Sequence, residues 1–488
     1  MNRIDPAPAE TVPARVVVVD LDLTLLRCDT LHEQAVRLLF AHPARLPGLL
    51  GAILRGPAAA KAYAADHVEL DPASLLPCPE VLAFLADEKQ RGAYLVLCTA
   101  ADRRVAESIA RHLGIFDEVI ATDGTTNLKG EAKATLLAAR YPQGFIYAGD
   151  HAADLKVWAR SSGIVLVGTS SDTAERARAL GKPIVAELRP RAARRHPLQV
   201  WAHALRVHHW SKNLLLFVPL VLAHRWADLG LVGETLMGFA LLLAITSSTY
   251  LINDLADLDA DRQHERKRLR PLASGELPIA HAVLFVAIAI PIALAAGFML
   301  NVWFGCALTA YLAITLAYSF RLRRIPLLDT FTIAVLFTTR LLMGSSLVGA
   351  TLPVWLITFS MFFFFSLAMA KRQAEVLQAR DSGNAVVLAS RGYEPGDWPL
   401  VLVLGAGSGL ASLIILVLYM VDEAFRVVGY ARPEFLWLIS LLLSVWVGRI
   451  WLLTHRGRLN EDPVSFALRD RPSQVIAALV LICFLIAI

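Results

Sequence analysis

The sequence predicts a chain in two parts: an α/β domain built on a parallel sheet, followed by an all-α polytopic membrane domain of about nine transmembrane helices. Three observations carry this. The 488 residues are 56% apolar and 18% charged, with mean hydropathy +0.53, too long for one ordinary domain and too apolar for a soluble protein. The apolar excess is uneven, because residues 1–200 mix charged and apolar residues as a globular domain does, while the remainder repeats apolar runs long enough to cross a bilayer. Within the first part, short apolar runs end directly in carboxylates and hydroxyls, as buried parallel strands do at a ligand site.

These observations set the boundaries: a domain over 1–190, a linker over 191–205 and a membrane domain over 206–488. The Pro- and Arg-rich stretch Arg189–Pro197 marks the joint, where prolines break regular structure and clustered Arg suits an anionic lipid surface or a solvated loop. The net charge of +5 does not point to nucleic acid, because most basic clusters border apolar runs and membrane topology explains them. Cys28, Cys78, Cys98, Cys306 and Cys483 form no C-x-x-C pair and read as small buried hydrophobes in a reducing compartment. Residues 1–15 hold acids and prolines without an apolar core, so the N-terminal domain is expected to stay in the cytoplasm.

Nine crossings are expected, at 213–227, 231–252, 280–299, 302–319, 326–349, 353–370, 399–421, 434–454 and 472–488. From a cytoplasmic N-terminus, the loops at 253–279, 320–325, 371–398 and 455–471 then carry sixteen Lys and Arg, whereas the opposite loops carry only Arg426 and Arg432. That bias predicts a multi-pass protein of a bacterial-type inner membrane, in contact with its lipids, with the C-terminus outside.

In the first domain, Val16–Val19 reads as a strand running into Asp20 and Asp22. A second, Tyr94–Cys98, ends at Thr99, and a third, Gly144–Ala148, ends at Gly149-Asp150 with Asp154 one helical turn on. Lys129 and Lys133 lie between them, and amphipathic helices at 102–113 and 131–140 are expected to cover the sheet. In the order D-x-D-x-T, Thr, Lys, G-D-x-x-x-D, these residues resemble the haloacid-dehalogenase phosphatase superfamily over about 15–170. The resemblance implies a Rossmann-like fold in which Asp20 is the nucleophile and Asp22 the general acid, then base. It further implies a Mg²⁺ site from Asp20, Asp22, Asp150 and Asp154, phosphoryl contacts from Thr99 and Lys133, with Lys129 the alternative lysine, and a helical cap over 31–76. Leu23 departs from the family, which commonly has Gly there, and Arg37, Arg45, Arg55 and Lys61 in the cap suit an anionic substrate or plain solvation.

In the membrane domain, Asn253-Asp254 through Asp261-Arg262 closes an apolar crossing with a run of acids. On a helix Asp254, Asp257 and Asp261 share one face, with Asn253 four residues before Asp257. Carboxylates so close repel unless a cation joins them, and Mg²⁺ bridging a diphosphate is the economical solution. The motif is strongly similar to that of UbiA-type transferases over about 200–488. The continuation Asp261–Ala273, with His209–Asn213, Tyr318–Leu322 and Lys371–Glu375, resembles the decaprenyl-phosphate phosphoribosyltransferase branch. That branch joins the phosphate of a polyprenyl carrier to C1 of phosphoribosyl diphosphate.

The resemblance implies Asn253, Asp254, Asp257 and Asp261 as metal ligands, with Asp254 and Asp257 catalytic. Lys212, Arg262, Lys267, Arg270, Arg340 and Lys371 are available for further phosphates. Of the second acidic motif common in aromatic prenyltransferases, only Asp329 is present, and Arg340 within the same crossing is costly unless it faces a polar cavity. The combined expectation is a bifunctional enzyme that attaches phosphoribose to a polyprenyl phosphate and then removes the 5-phosphate. The alternatives are prenyl transfer to an aromatic or other acceptor beside an unrelated or inactive phosphatase, and a membrane anchor or transporter carrying a phosphatase.

Overall fold

The computed structural model describes residues 15–123, 127–189, 195–382, 391–424, 430–459 and 462–488. Part of the expected linker, and Arg426, lie outside them. The chain divides into two compact units, residues 1–204 with 251–284, and residues 205–250 with 285–488.

The first unit holds a six-stranded, all-parallel sheet in the order β3-β2-β1-β4-β5-β6: β1 (Val16–Val19), β2 (Tyr94–Asp102), β3 (Glu118–Thr122), β4 (Ile146–Gly149), β5 (Gly163–Val167) and β6 (Ile184–Leu188). Four consecutive valines suit β1 because both faces are covered. Val17 and Val19 pack into one apolar cluster and Val16 and Val18 into the other. The strand order reverses at β1, so the carboxyl ends of β1, β2 and β4 form the crevice where α/β sheets bind ligands. Strand β2 runs past Thr99 to Asp102 with a register irregularity between them, longer than its apolar run predicts. Helices α1 (Thr30–Ala41), α2 (Leu46–Arg55) and α3 (Pro57–His67) fill most of the expected cap, residues 31–76. Helices α4 (Pro79–Gln90), α5 (Arg103–Leu113), α6 (Glu131–Arg140), α7 (Leu155–Arg160) and α8 (Ser171–Arg178) complete the layers.

Among the described residues, seven helices are long and apolar enough to cross a membrane, not nine. After the short α9 (Pro197–Ala204) and α10 (Val218–Leu222), they are α11 (Leu229–Ala256), α13 (Ile279–Leu300), α14 (Val302–Phe320), α15 (Leu328–Val348), α16 (Val354–Ser382), Trp398–Tyr419 and Leu436–His455; α12 (Leu258–Gln263) follows α11. Helix α15 is largely buried and α13 little buried, so α15 is the central helix and α13 a peripheral one.

The two segments that fall short do so for different reasons. Around 213–227 the chain forms a 3₁₀ stretch, Val207–Phe217, and then α10. Pro219 supplies no N–H, and positive φ at Arg206 and His224 breaks both ends. A 3₁₀ turn rises faster than an α turn, so these sixteen residues still advance about 30 Å. Arg471–Ala487 is a regular apolar helix of 17 residues, about 25 Å long.

Candidate active sites

The first site is built by strand ends. Asp20 follows β1 directly and its carboxylate accepts the Leu21 N–H at 2.8 Å. Lys133, on α6 and 2% exposed, brings its Nζ to 2.9 Å from Asp20 Oδ2 and donates to the Tyr147 hydroxyl, also at 2.9 Å. Tyr147 in turn donates to Asp154 Oδ1 at 3.0 Å. Asp154 Oδ2 accepts the backbone N–H groups of Asp150 and His151 at 3.2 and 3.1 Å, and the Thr24 hydroxyl donates to Asp150 Oδ1 at 3.0 Å. Asp20, Asp150 and Asp154 thereby offer one oxygen each within 4.8 Å of one another.

Burial and like charge shape the electrostatics of this cluster. Burial, then Asp154 and Asp20, push the Asp150 carboxyl up to about 7, and burial and Asp20 raise Asp154. Burial works against the charge on Lys133, but Asp20 most of all outweighs it and holds the pKa above the usual lysine value. One ammonium against three carboxylates leaves negative charge that a hard divalent cation fits, through oxygen donors alone.

Asp22 stands apart from this triad. Its Oδ1 accepts the Thr30 N–H at the start of α1, at 2.8 Å, and its carboxyl is pushed up to about 7 by burial and then by Asp29 and Asp20, against the opposing Thr30 hydrogen bond. A carboxyl half protonated near neutrality is suited to proton transfer. Thr99 is fully buried and accepts the Ala101 N–H at 3.0 Å, while Lys129 is exposed, so Lys133 is the lysine beside Asp20. Leu23 adopts φ 60°, ψ −2°, the left-handed conformation that glycine takes without strain. Sequence reading missed Tyr147, which reads there only as a strand residue.

The acid-rich segment is organised differently. Helix α11 ends at Ala256 and α12 begins at Leu258, with Asp257 at the turn, so the expected single helix is interrupted. Register survives, because Asp257 N–H bonds to the Asn253 carbonyl at 2.9 Å and Asp261 N–H to the Asp257 carbonyl at 2.8 Å. Arg270 donates to Asp254 Oδ1 at 3.1 Å and Asp261 Oδ2 at 2.5 Å, and Lys267 stands 3.8 Å from Asp261 Oδ1. Asp254, Asp257 and Asp261 do not bring three oxygens together as the first cluster does. Asp261 Oδ1 is nonetheless buried without a hydrogen-bond partner, an orphaned acceptor that a cation fits. Arg262 is turned to Glu33 of α1, at 2.6 Å, and to the Ser74 carbonyl at 3.3 Å.

In the second unit, Lys212 pairs with Asp462 at 2.7 Å. Arg340, 7% exposed, donates to Asn213 Oδ1 at 2.8 Å, to the Tyr311 hydroxyl at 2.7 Å and to the Leu336 carbonyl at 2.7 Å. That explains how a guanidinium is tolerated within a crossing. Lys371 has no ion-pair partner among the described residues, and Glu375, Asp462, Arg391 and Lys212 are the charges around it. Asp329 is fully buried, 2.7 Å from Arg372 and accepting the Tyr393 hydroxyl at 2.8 Å. Asp462, far along the chain from Lys212, had no motif to mark it.

Two family models match: the UbiA prenyltransferase family over residues 214–470, and haloacid dehalogenase-like hydrolase over residues 17–158. Uncharacterized protein y4nM of Sinorhizobium fredii is 40% identical over 96% of this chain and 90% of its own. Nodulation protein NoeC of Azorhizobium caulinodans is 31% identical over 57% of this chain and 90% of its own. The decaprenyl-phosphate phosphoribosyltransferase of Mycobacterium tuberculosis is 27% identical over 56% of this chain and 89% of its own. With strand-end carboxylates at one end and apolar helices at the other, the chain is a multi-pass membrane enzyme of transferase type that belongs to the UbiA prenyltransferase family and carries an N-terminal haloacid dehalogenase-like domain.

Proposed function

We propose that this enzyme transfers 5-phosphoribose from phosphoribosyl diphosphate to a polyprenyl phosphate, and that its N-terminal domain then removes the ribose 5-phosphate. The observation that carries the reading is the state of Asp329. Its carboxylate is enclosed by Arg372 and Tyr393, which leaves the 254–261 acids to present one metal-bound diphosphate. An ordinary prenyl transfer with a second acidic motif is therefore the weaker reading. The decaprenyl-phosphate phosphoribosyltransferase name of a relative supports the same choice.

In this reading Asp254, Asp257 and Asp261, with Asn253, hold Mg²⁺, which supplies charge neutralisation for the departing diphosphate. The C1–O bond breaks with its electron pair on diphosphate, and an oxygen of the lipid phosphate forms the new bond to C1. No strong protein base is needed, since that phosphate is already anionic. Arg270 and Lys267 face the departing charge, and Lys212 and Lys371 serve a second phosphate. Arg262 and Arg340, held by Glu33 and by Asn213 and Tyr311, act as supports. At the other site Asp20 attacks phosphorus to form an aspartyl-phosphate as Asp22 protonates the leaving ribose oxygen; Asp22 then takes a proton from the water that cleaves the aspartyl-phosphate and releases phosphate, Lys133 and Thr99 hold phosphoryl oxygens, and Asp20, Asp150 and Asp154 would hold Mg²⁺.

The functional division is 1–190 for the phosphatase, 191–205 for the joint and 206–488 for the transferase. The charge bias of the loops supports a cytoplasmic N-terminal domain in an inner membrane, with the C-terminus outside if the 3₁₀ segment and Arg471–Ala487 also cross. Purified enzyme given labelled phosphoribosyl diphosphate and polyprenyl phosphate should yield labelled lipid only with Mg²⁺. Prenylation of an aromatic acceptor from a prenyl diphosphate, with no ribosyl label in lipid, would overturn the reading.

A further inference from the structure

Helix α12 shows two faces with different commitments. Asp261 and the turn residue Asp257 belong to the acidic cluster, where Arg270 bridges Asp261 to Asp254. Asp259 and Arg262, one turn apart, are held instead by α1: Arg37 reaches Asp259 at 2.5 and 3.0 Å, and Glu33 accepts from Arg262 at 2.6 and 3.2 Å. Arg37 also pairs with Glu33 at 2.8 Å, so the four side chains form one network in which opposite charges alternate. It is buried at its centre, since Glu33 is fully buried and the Arg262 side chain is 4% exposed. A buried carboxylate facing two guanidinium groups is tightly placed, because losing either partner leaves an uncompensated charge.

The surroundings reinforce the grip. Arg262 reaches the Ser74 and Ala273 carbonyls at 3.3 and 3.4 Å, and a Cβ on Gly275, which has φ 77°, would lie 3.2 Å from the Arg27 backbone carbonyl. Compactness agrees, since residues 251–284 cluster with residues 1–204. At its other end α1 begins at Thr30, whose N–H holds Asp22. Only one turn of α1 separates the residue that positions Asp22 from the residue that positions Arg262.

We infer that Glu33 and Arg37 are positioning residues for the transferase: they fix α12, and through it Asp257 and Asp261, so the phosphatase-like fold helps to build the metal–diphosphate site. The inference rests on the reading that Asp254, Asp257 and Asp261 hold metal-bound diphosphate. Loss of this anchor should weaken capture of metal and diphosphate more than it slows turnover.

The test uses the full chain in lipid nanodiscs. Glu33→Gln should raise the Mg²⁺ and phosphoribosyl diphosphate concentrations for half-maximal transfer by about tenfold or more, the usual scale for losing a partner that orients metal ligands, with a smaller change in kcat. Arg37→Gln and Asp259→Asn should each act in the same direction. Breaking the exposed cap pair Arg104–Asp66 by Arg104→Gln should change neither constant. Calorimetric titration of Mn²⁺ with inorganic diphosphate, in an Asp150→Asn background that disables the other cluster, should show the same weakening without turnover. Unchanged half-saturation and Mn²⁺ binding in both Glu33→Gln and Arg37→Gln would overturn the inference. A parent enzyme that shows no ribosyl transfer and no diphosphate-dependent Mn²⁺ binding would instead remove the reading beneath it.

Discussion

The molecule carries two carboxylate clusters, and they are assembled in opposite ways. Asp20, Asp150 and Asp154 are delivered by two neighbouring strand ends of a covered sheet, and their oxygens already converge within 4.8 Å. Asp254, Asp257 and Asp261 come from one stretch of chain at an interrupted helix end, with Arg270 set between the first and the last. A rigid sheet can hold like charges together against their repulsion, helped by Lys133 and Tyr147. A helix end relieves the same repulsion with the Arg270 guanidinium set between Asp254 and Asp261. On the proposed reading, the first cluster would accept a cation in the absence of substrate, whereas the second would gather its ligands when a diphosphate engages Arg270.

Removing a ligand from either cluster is the hardest way to break this comparison. Asp254→Ala or Asp257→Ala should lower ribosyl transfer at least about a hundredfold, while hydrolysis of a soluble phosphomonoester persists. Near-normal transfer in either variant, measured with labelled donor, would count against the assignment. Asp20→Asn should do the reverse. An amide is nearly isosteric with the carboxylate but cannot form an aspartyl-phosphate, so the donor should still be consumed and the phosphorylated ribosyl lipid should accumulate. Chromatography that shows the same final lipid as the parent would separate the phosphatase from this pathway.

A smaller effect sharpens the contrast in assembly. Arg270→Gln removes the charge between Asp254 and Asp261, so Mn²⁺ should bind there without diphosphate, roughly tenfold more tightly than in the parent. Electron paramagnetic resonance titration in the Asp150→Asn background reads this directly, and unchanged diphosphate dependence would argue against Arg270 as the placeholder. The smallest expected change is at the first cluster. Leu23→Gly should relieve the left-handed backbone at that position and stabilise the N-terminal domain by about 1 kcal/mol, visible as a higher unfolding midpoint. A lower midpoint would mean that the Leu23 side chain, though 47% exposed, contributes more by packing than its backbone costs.

How much could be read in advance follows the range of the forces involved. The strand-end positions of Asp20 and Asp150 were legible because apolar runs and following polar residues are neighbours in the chain, whereas Thr99 lies inside β2, which continues to Asp102. Leu23 was marked as a departure from its motif, and the structure shows the backbone reason. Tyr147 was not legible as a polar link, since a strand residue's partner lies on another element. The segment near 213–227 was legible as apolar but not as a 3₁₀ stretch, nor was the bond that Asn213 accepts from Arg340, 127 residues away.

The sequence by itself determined the two-part architecture, the strand-end carboxylates and the acid run that spans the end of α11 and α12, because local hydrophobic patterning and residue spacing encode these. Tertiary structure alone decided which charges meet. It turned Arg262 to Glu33, 229 residues away, Lys212 to Asp462 and Asp329 to Arg372. A buried ion must be paired wherever the fold offers an opposite charge, and that choice depends on how distant segments pack rather than on the residues beside it.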